Sequence, residues 1–230
     1  MKTKRIQSTL RTGLICTFIL ILINCKKDAT VITPIPTWNY STFTDSRDGK
    51  TYKYIKIGSQ NWMAENLAFK TANNSWNYGD LEEFGTKYGR LYTWDAAIAA
   101  VPAGWHMPTD AEWKQLEITL GMSVSEADGI DSRGIIESRK LKATSGWYDN
   151  ENKSTGNGTD EVGFAALPGG QRTNSGNYFV NGWYGYWWTA SEGDNSRAWM
   201  RYVTYSNTQI YRNLSYKEDA YSIRCVKNTD

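Results

Sequence analysis

Hydrophobic and polar positions change rhythm several times along the chain, and each change marks an element. Residues 14–23 (LICTFILILI) form one unbroken apolar run. Residues 26–40 (KKDATVITPIPTWNY) show no period, and Pro34 and Pro36 keep the backbone extended. Alternation begins after an Asp48-Gly49 turn. Over residues 51–57 (TYKYIKI), Tyr52 and Tyr54 fall on one face, with Thr51, Lys53, Ile55 and Ile57 on the other. This predicts a strand, and because both faces mix apolar with polar residues the pattern leaves the buried side open. A helical rhythm follows. Residues 94–100 (WDAAIAA) predict a short alanine-rich helix stopped by Pro102. Thr109 and Glu112 are spaced as a capping box; behind them Trp113, Leu116 and Leu120 recur at helical intervals until Gly121 ends the run. A third helix is expected over residues 132–141. Residues 145–163 are rich in Gly, Asn, Thr and Asp and read as loop. Strands are expected at 187–191, 197–203, 209–214 and 221–227, a spacing of roughly ten residues that suggests an antiparallel meander. Helices early and strands late indicate an α+β fold.

The first apolar run is too short to cross a bilayer, which takes roughly 20 residues. With Lys2, Lys4, Arg5 and Arg11 ahead of it and no acidic residue before Asp28, it reads as a secretory signal. Leu22-Ile23-Asn24-Cys25 resembles the lipobox of bacterial lipoproteins, with Asn24 in place of the usual small residue. The expected organisation is therefore a signal peptide over 1–24, an acylated Cys25 with an extended tether over 25–41, and one domain over 42–228. Buried acyl chains contribute about 0.8 kcal/mol per CH₂, so a multiply acylated Cys25 would hold the chain on a membrane. The expected location is the cell outer membrane. Lys26-Lys27-Asp28 partly resembles the charged export tags of such proteins, which leaves the surface and the periplasmic side both open.

Cleavage alters the charge balance. The precursor has 26 basic and 24 acidic residues, a net of +2; the leader holds four of the basic ones and no acidic one, leaving 22 against 24, a net of −2. Such a balance gives no electrostatic case for nucleic-acid binding. Of three cysteines, Cys16 leaves with the leader and Cys25 is the acylation site, so only Cys225 stays in the domain. His106 is the single histidine. A disulfide framework and a cysteine- or histidine-based zinc site are thereby excluded, and a Ser-His-Asp triad would have to use His106, which has no nucleophile beside it in the sequence. What stands out is 11 Trp, 15 Tyr and 6 Phe among 20 Gly. Indole N–H groups need partners and the rings are bulky, so some of this aromatic surface is expected outside the core.

His106, between Trp105 and Met107-Pro108, reads as a histidine satisfied by backbone groups in a tight turn. The capping role of Glu112 accounts for that carboxylate. Asp80 with Glu82 and Glu83, or Glu192 with Asp194 and Asn195, could offer oxygens to Ca²⁺, but neither spacing matches an EF-hand loop, and solvated turns are the plainer reading. No other cofactor and no catalytic residue is expected. Two aromatic loops read as ligand-binding surface: Trp147, Tyr148 and Asp149 in one, Asn181, Trp183 and Tyr184 in the other. Sugars present an apolar C–H face and a polar rim, which aromatic platforms beside Asn and Asp side chains suit.

Six segments occur in an order that resembles a known family: QNWMAENL (60–67), YGRLYTW (88–94), GWHMPTDAEW (104–113), GFAALPGG (163–170), GYWWTAS (185–191) and SIRCV (222–226). Together they resemble the Fibrobacter succinogenes major paralogous domain, common in lipoproteins of Bacteroidetes and Fibrobacteres, over about residues 42–228. A more distant similarity, through Pro108-Thr-Asp-Ala-Glu-Trp113 and the last strand, is to the formylglycine-generating sulfatase-modifying domain. That resemblance implies a C-type-lectin-like fold: two or three helices, a distorted antiparallel sheet and long irregular loops. The paired catalytic cysteines of that enzyme family are missing, so its chemistry is not implied. A cysteine usual before the Pro-x-Gly-Trp-His block is replaced by Val101, so Cys225 is expected as a buried thiol packed like a small hydrophobe near Val101. The reading as a whole is a lipid-anchored extracytoplasmic binding module without catalytic activity, with glycan as the first ligand class. The alternative is a structural or protein–protein adaptor domain of an envelope complex.

Overall fold

The computed structural model describes residues 37–149 and 155–229. The expected signal peptide, Cys25 and the tether up to residue 36 lie outside the described residues. The end of the expected tether does not hang free. Trp38 and Tyr40 pack against the core, and the Trp38 indole N–H donates to the Asp160 carbonyl at 2.9 Å.

A hairpin joins β1 (Ser41–Thr44) to β2 (Thr51–Ile57), and a two-residue turn leads into β3 (Gln60–Met63). That turn requires Gly58: its φ is +60°, and a Cβ there would lie 2.7 Å from Thr119 Oγ1. Next come β4 (Ser75–Trp76), one 3-10 turn (Tyr78–Asp80), α1 (Glu82–Tyr88), β5 (Leu91–Tyr92), α2 (Trp94–Ala100) and β6 (Trp105–His106). The middle of the chain holds α3 (Asp110–Thr119), α4 (Val124–Asp128), β7 (Asp131–Arg133) and α5 (Glu137–Leu141). The last part of the chain holds β8 (Gln171–Arg172), β9 (Tyr178–Phe179), β10 (Tyr184–Glu192), β11 (Arg197–Thr204), β12 (Ile210–Tyr216) and β13 (Val226–Lys227).

The fold is mixed α+β and richer in strand than in helix. Five α-helices form among the described residues, against an expectation of two or three. α4 carries a capping box of its own, Ser123 with Glu126. The helix expected over 132–141 shrinks to α5, because residues 131–133 pair with β12 instead. β10, β11 and β12 form the expected meander, and its register shifts between Trp188 and Glu192. The fourth place in that sheet goes to β7, not to the end of the chain. The C-terminal β13 lies in the other sheet, whose order is β1-β2-β3-β13-β6.

Two hydrophobic cores result, and strand alternation sorts neighbouring residues between them. Trp62, Trp187 and Val226 join Ile55, Ile57 and the α3 residues Trp113, Leu116 and Leu120. Their chain neighbours Met63, Trp188 and Cys225 join Tyr52 and the α2 residues Trp94, Ala97 and Ala100. β2 therefore buries residues on both faces, which is why its pattern looked mixed. Cys225 is fully buried in the same cluster that Val101 packs against, and burial pushes its thiol well up, so it acts as an inert hydrophobe. Each fully buried large apolar side chain contributes about 1.5–3 kcal/mol.

A buried ionic network joins α3 to the four-stranded sheet. Arg201 on β11 donates to Glu117 Oε1 at 2.6 Å and to Asp110 Oδ1 at 2.8 Å. Arg133 on β7 forks onto both Glu117 oxygens at 2.7 and 2.8 Å. Arg212 on β12 grips both Asp110 oxygens at 2.8 and 2.9 Å and stacks over the Trp199 ring at 3.7 Å. Burial works against the Asp110 carboxylate, but Arg212 and Arg201 outweigh it and hold its pKa far below the usual range. Three strands are thus clamped to one helix by forked, charge-assisted hydrogen bonds.

Candidate ligand-binding surface

The six sequence segments meet inside the molecule rather than on it. Asn66 Oδ1 accepts from Trp187 Nε1 at 2.9 Å and from Arg224 Nε and Nη2 at 3.1 and 2.9 Å. Asn66 Nδ2 donates to the Tyr88 carbonyl at 2.8 Å, and Arg224 Nη1 donates to the Phe164 carbonyl. Around this hub the rings of Trp62, Trp113, Phe164 and Trp187 pack with centroids 5.0 to 6.2 Å apart. Each segment supplies at least one member. Together they build the scaffold, and a surface that selects a ligand must be sought among other residues.

Of the six residues expected to bind ligand, the structure brings two rings together. Tyr148 and Trp183 are 56 % and 43 % exposed, with centroids 5.5 Å apart. Tyr205, which the sequence reading missed, completes the cluster at 5.8 Å from Tyr148 and 5.6 Å from Trp183. Backbone bonds fix the arrangement: Tyr148 N–H donates to the Gly182 carbonyl and Tyr205 N–H to the Trp183 carbonyl, both at 2.8 Å. The turn that presents Trp183 is strained, since Val180 sits at φ +58°. A β-branched residue rarely adopts that conformation, at a cost of roughly 1–2 kcal/mol. Asp149 is exposed beside Tyr148.

The other three expectations need correction. Trp147 is only 5 % exposed and belongs to the core, its indole donating to the Ala166 carbonyl at 3.0 Å. Tyr184 is the first residue of β10 and stacks on Tyr186 at 5.8 Å, away from the loop cluster. Asn181 is half-buried and directs its amide to the Pro168 carbonyl at 3.4 Å. Alternation explains Trp147 and Tyr148, which point opposite ways as chain neighbours do in extended backbone.

Tyr205 also lines a cleft of about 250 Å³ with Arg139, Lys142, Thr155, Asn157, Ser206, Asn207 and Thr208. Lys142 is 2 % exposed and its ammonium donates to the carbonyls of Thr204 (2.9 Å) and Asn207 (3.1 Å). Burial, assisted by the charge of Arg139, brings its pKa down to about 8. A larger cleft of about 370 Å³ is lined by Trp76, Asp95, Arg172, Lys217 and Glu218, among others. There the Arg172 guanidinium covers the Trp76 ring at 4.0 Å, so that aromatic face is already taken.

Three of the acidic groups weighed for Ca²⁺ are engaged otherwise. Glu192 pairs with Lys217 at 2.7 Å, Asp194 with Arg197 at 2.7 Å, and Asp80 accepts from the Tyr178 hydroxyl at 2.6 Å. Among the described residues no group of three His, Cys, Asp or Glu side chains is placed to hold a metal ion. His106 is satisfied by side chains rather than by the backbone groups expected: Nδ1 faces Asn228 Oδ1 at 2.7 Å and Nε2 faces Glu112 Oε1 at 2.6 Å. Glu112 therefore does more than cap α3. Burial would raise its pKa, but the Thr109 N–H, His106 and the Thr109 hydroxyl hold it lower.

The arrangement places the six sequence segments in the core and the Tyr148–Trp183 loops outside it. The chain belongs to the Fibrobacter succinogenes major domain family, whose model matches residues 55–227. No curated protein and no solved structure matches it.

Proposed function

We propose that the protein is a lipid-anchored, extracytoplasmic binding module without catalytic activity, and that its ligand is a glycan held at the Tyr148–Trp183–Tyr205 corner. One observation carries the reading: two exposed rings from separate loops converge with a third that borders a polar cleft. Sites of this composition offer ring faces to sugar C–H groups and amides and hydroxyls to the rim. We read the scaffold as C-type-lectin-like, a view supported by its antiparallel sheets, the register shift in β10 and the irregular backbone of the described residues 142–149 and 155–170. Anchoring through Cys25 to the outer membrane rests on the leader and lipobox-like sequence; among the described residues no helix is long and apolar enough to cross a membrane.

Titration of the intact protein against plant and bacterial polysaccharides, with and without Ca²⁺, tests the ligand class. Trp183→Ala is expected to weaken binding roughly tenfold, about 1.4 kcal/mol, since a stacked aromatic face contributes about 0.5–1.5 kcal/mol beyond the area it buries. Absence of any glycan interaction in both conditions would sink the reading. Cys25→Ser is expected to release the protein from the membrane fraction, and a variant that still sediments with membranes would refute the anchor.

A specific observation keeps the adaptor alternative in view. Ile130, Ile135 and Ile136 are all exposed within seven residues that flank the edge strand β7. Cross-linking in intact cells that captures a defined envelope protein, together with no glycan affinity, would favour it.

A further inference from the structure

We infer that the glycan is acidic, its anionic group seated at Arg139 and Lys142 while a neighbouring sugar ring lies on Trp183 and Tyr148. The inference rests on the binding-module reading above and specifies its ligand class. Its ground is the charge of the cleft that Tyr205 shares with the aromatic corner. The lining holds two cations, Arg139 and Lys142, two amides and four hydroxyl side chains, Tyr205 included, and no carboxylate among the described residues.

Several cations elsewhere in this protein face carboxylates directly: Arg133, Arg201 and Arg212 pair with Glu117 and Asp110, Arg197 with Asp194, Lys217 with Glu192. Lys142 differs. It is buried, its ammonium donates to the two carbonyls and lies 5.3 Å from the centroid of the Trp147 ring, and like Arg224 it has no carboxylate in hydrogen-bond contact among the described residues; the charge of Arg139 pushes in the same direction as burial. Two like charges at one cleft, one of them desolvated, raise a positive potential that an arriving carboxylate or sulfate would relieve. The mature chain is net negative, so this patch is local and owes nothing to a generally basic surface. Arg139, exposed on α5, supplies the planar fork that a carboxylate or sulfate accepts in two hydrogen bonds. Asn157, Asn207 and Thr208 provide directing groups for sugar hydroxyls.

The two remaining clusters lead less far. The Trp76–Arg172 cleft balances Arg172 and Lys217 against Asp95 and Glu218, which selects no ligand charge. The isoleucines beside β7 present apolar surface with nothing to show what covers them.

The test is a titration of the full chain against acidic polysaccharides (polygalacturonate, alginate, hyaluronate, dextran sulfate) and neutral ones (dextran, galactan, xylan, methyl-esterified polygalacturonate), at 150 mM salt. Wild type, Arg139→Gln, Lys142→Met and Trp183→Ala are compared, with circular dichroism to verify folding. The expected result is binding confined to acidic members and weakened roughly tenfold by Arg139→Gln and by Trp183→Ala. The carboxylated and sulfated arms distinguish the two anions. Equal affinity for neutral members, or acidic binding indifferent to Arg139→Gln, overturns the acidic inference while the glycan reading stands. Acidic binding that survives Trp183→Ala is mere polyelectrolyte attraction and overturns it too. No binding in either panel overturns both.

Discussion

Asn66 gathers three N–H donors at one amide oxygen. Asn66→Ala strands the Arg224 guanidinium and the Trp187 indole in a dry interior. Unpaired buried groups of this kind cost about 3–5 kcal/mol when one of them is charged. Thermal unfolding of the variant is expected roughly 10 °C below wild type, at about 2–4 °C per kcal/mol for a domain of this size; a shift under about 3 °C would deny the hub its structural weight. At this scale the sequence was legible by identity and blind to direction. It marked Tyr148 and Trp183 as surface, and both are. It marked Trp147 as well, because composition cannot tell which of two adjacent rings turns inward. Tyr205 escaped notice since nothing local distinguishes it from the tyrosines of the sheet.

Helix α3 is the element whose sequence said most. Its capping box is present in full, with Thr109 Oγ1 accepting from the Glu112 N–H at 3.2 Å and the Glu112 carboxylate taking the Thr109 N–H at 2.7 Å. Thr109→Ala is expected to lower stability by about 1 kcal/mol, within the range of roughly 0.5–2 for such caps; chemical denaturation that shows no change in midpoint would refute it. The same helix hid its second function. Asp110 and Glu117, seven residues apart, share a face with Trp113 and Leu116, so the carboxylates that clamp β7, β11 and β12 sat in plain sight within an apolar stripe. Pairing partners from distant strands cannot be read from one helix. Short elements were lost for a different reason. α1 and α4 span seven and five residues, too few for periodicity to declare itself, and they lack the run of alanines and the closing Pro102 that revealed the equally short α2.

Across the whole molecule the ionic network sets the response to acid. Asp110 has a depressed pKa in the folded state, so its pairing contributes stability that is fully present above the ordinary carboxylate pKa of about 4 and is lost as the pH falls through the depressed value. Stability measured by urea unfolding is therefore expected to decline below about pH 4. In Asp110→Asn, with no carboxyl to titrate, that part of the slope should vanish, and an unchanged acid limb would assign the decline to other groups. The α+β class and the meander were legible at this scale because strands and turns repeat locally. The assignment of β13 and β7 to their sheets was not, since it depends on partners more than 75 residues away, as Arg133 and Ile210 are.

The position of β13 has a consequence in time. It lies between β3 and β6, so the sheet stays split until a segment that follows every other strand in the chain arrives. A polypeptide emerges from its N-terminus onward, and contacts that span most of its length form slowly, in about milliseconds to seconds for folds dominated by such pairings. The growing chain thus holds an unclosed seam in this sheet throughout synthesis. Were the proposed leader to direct export, a strand that locks last would leave this sheet pliant in transit and let it set only on release.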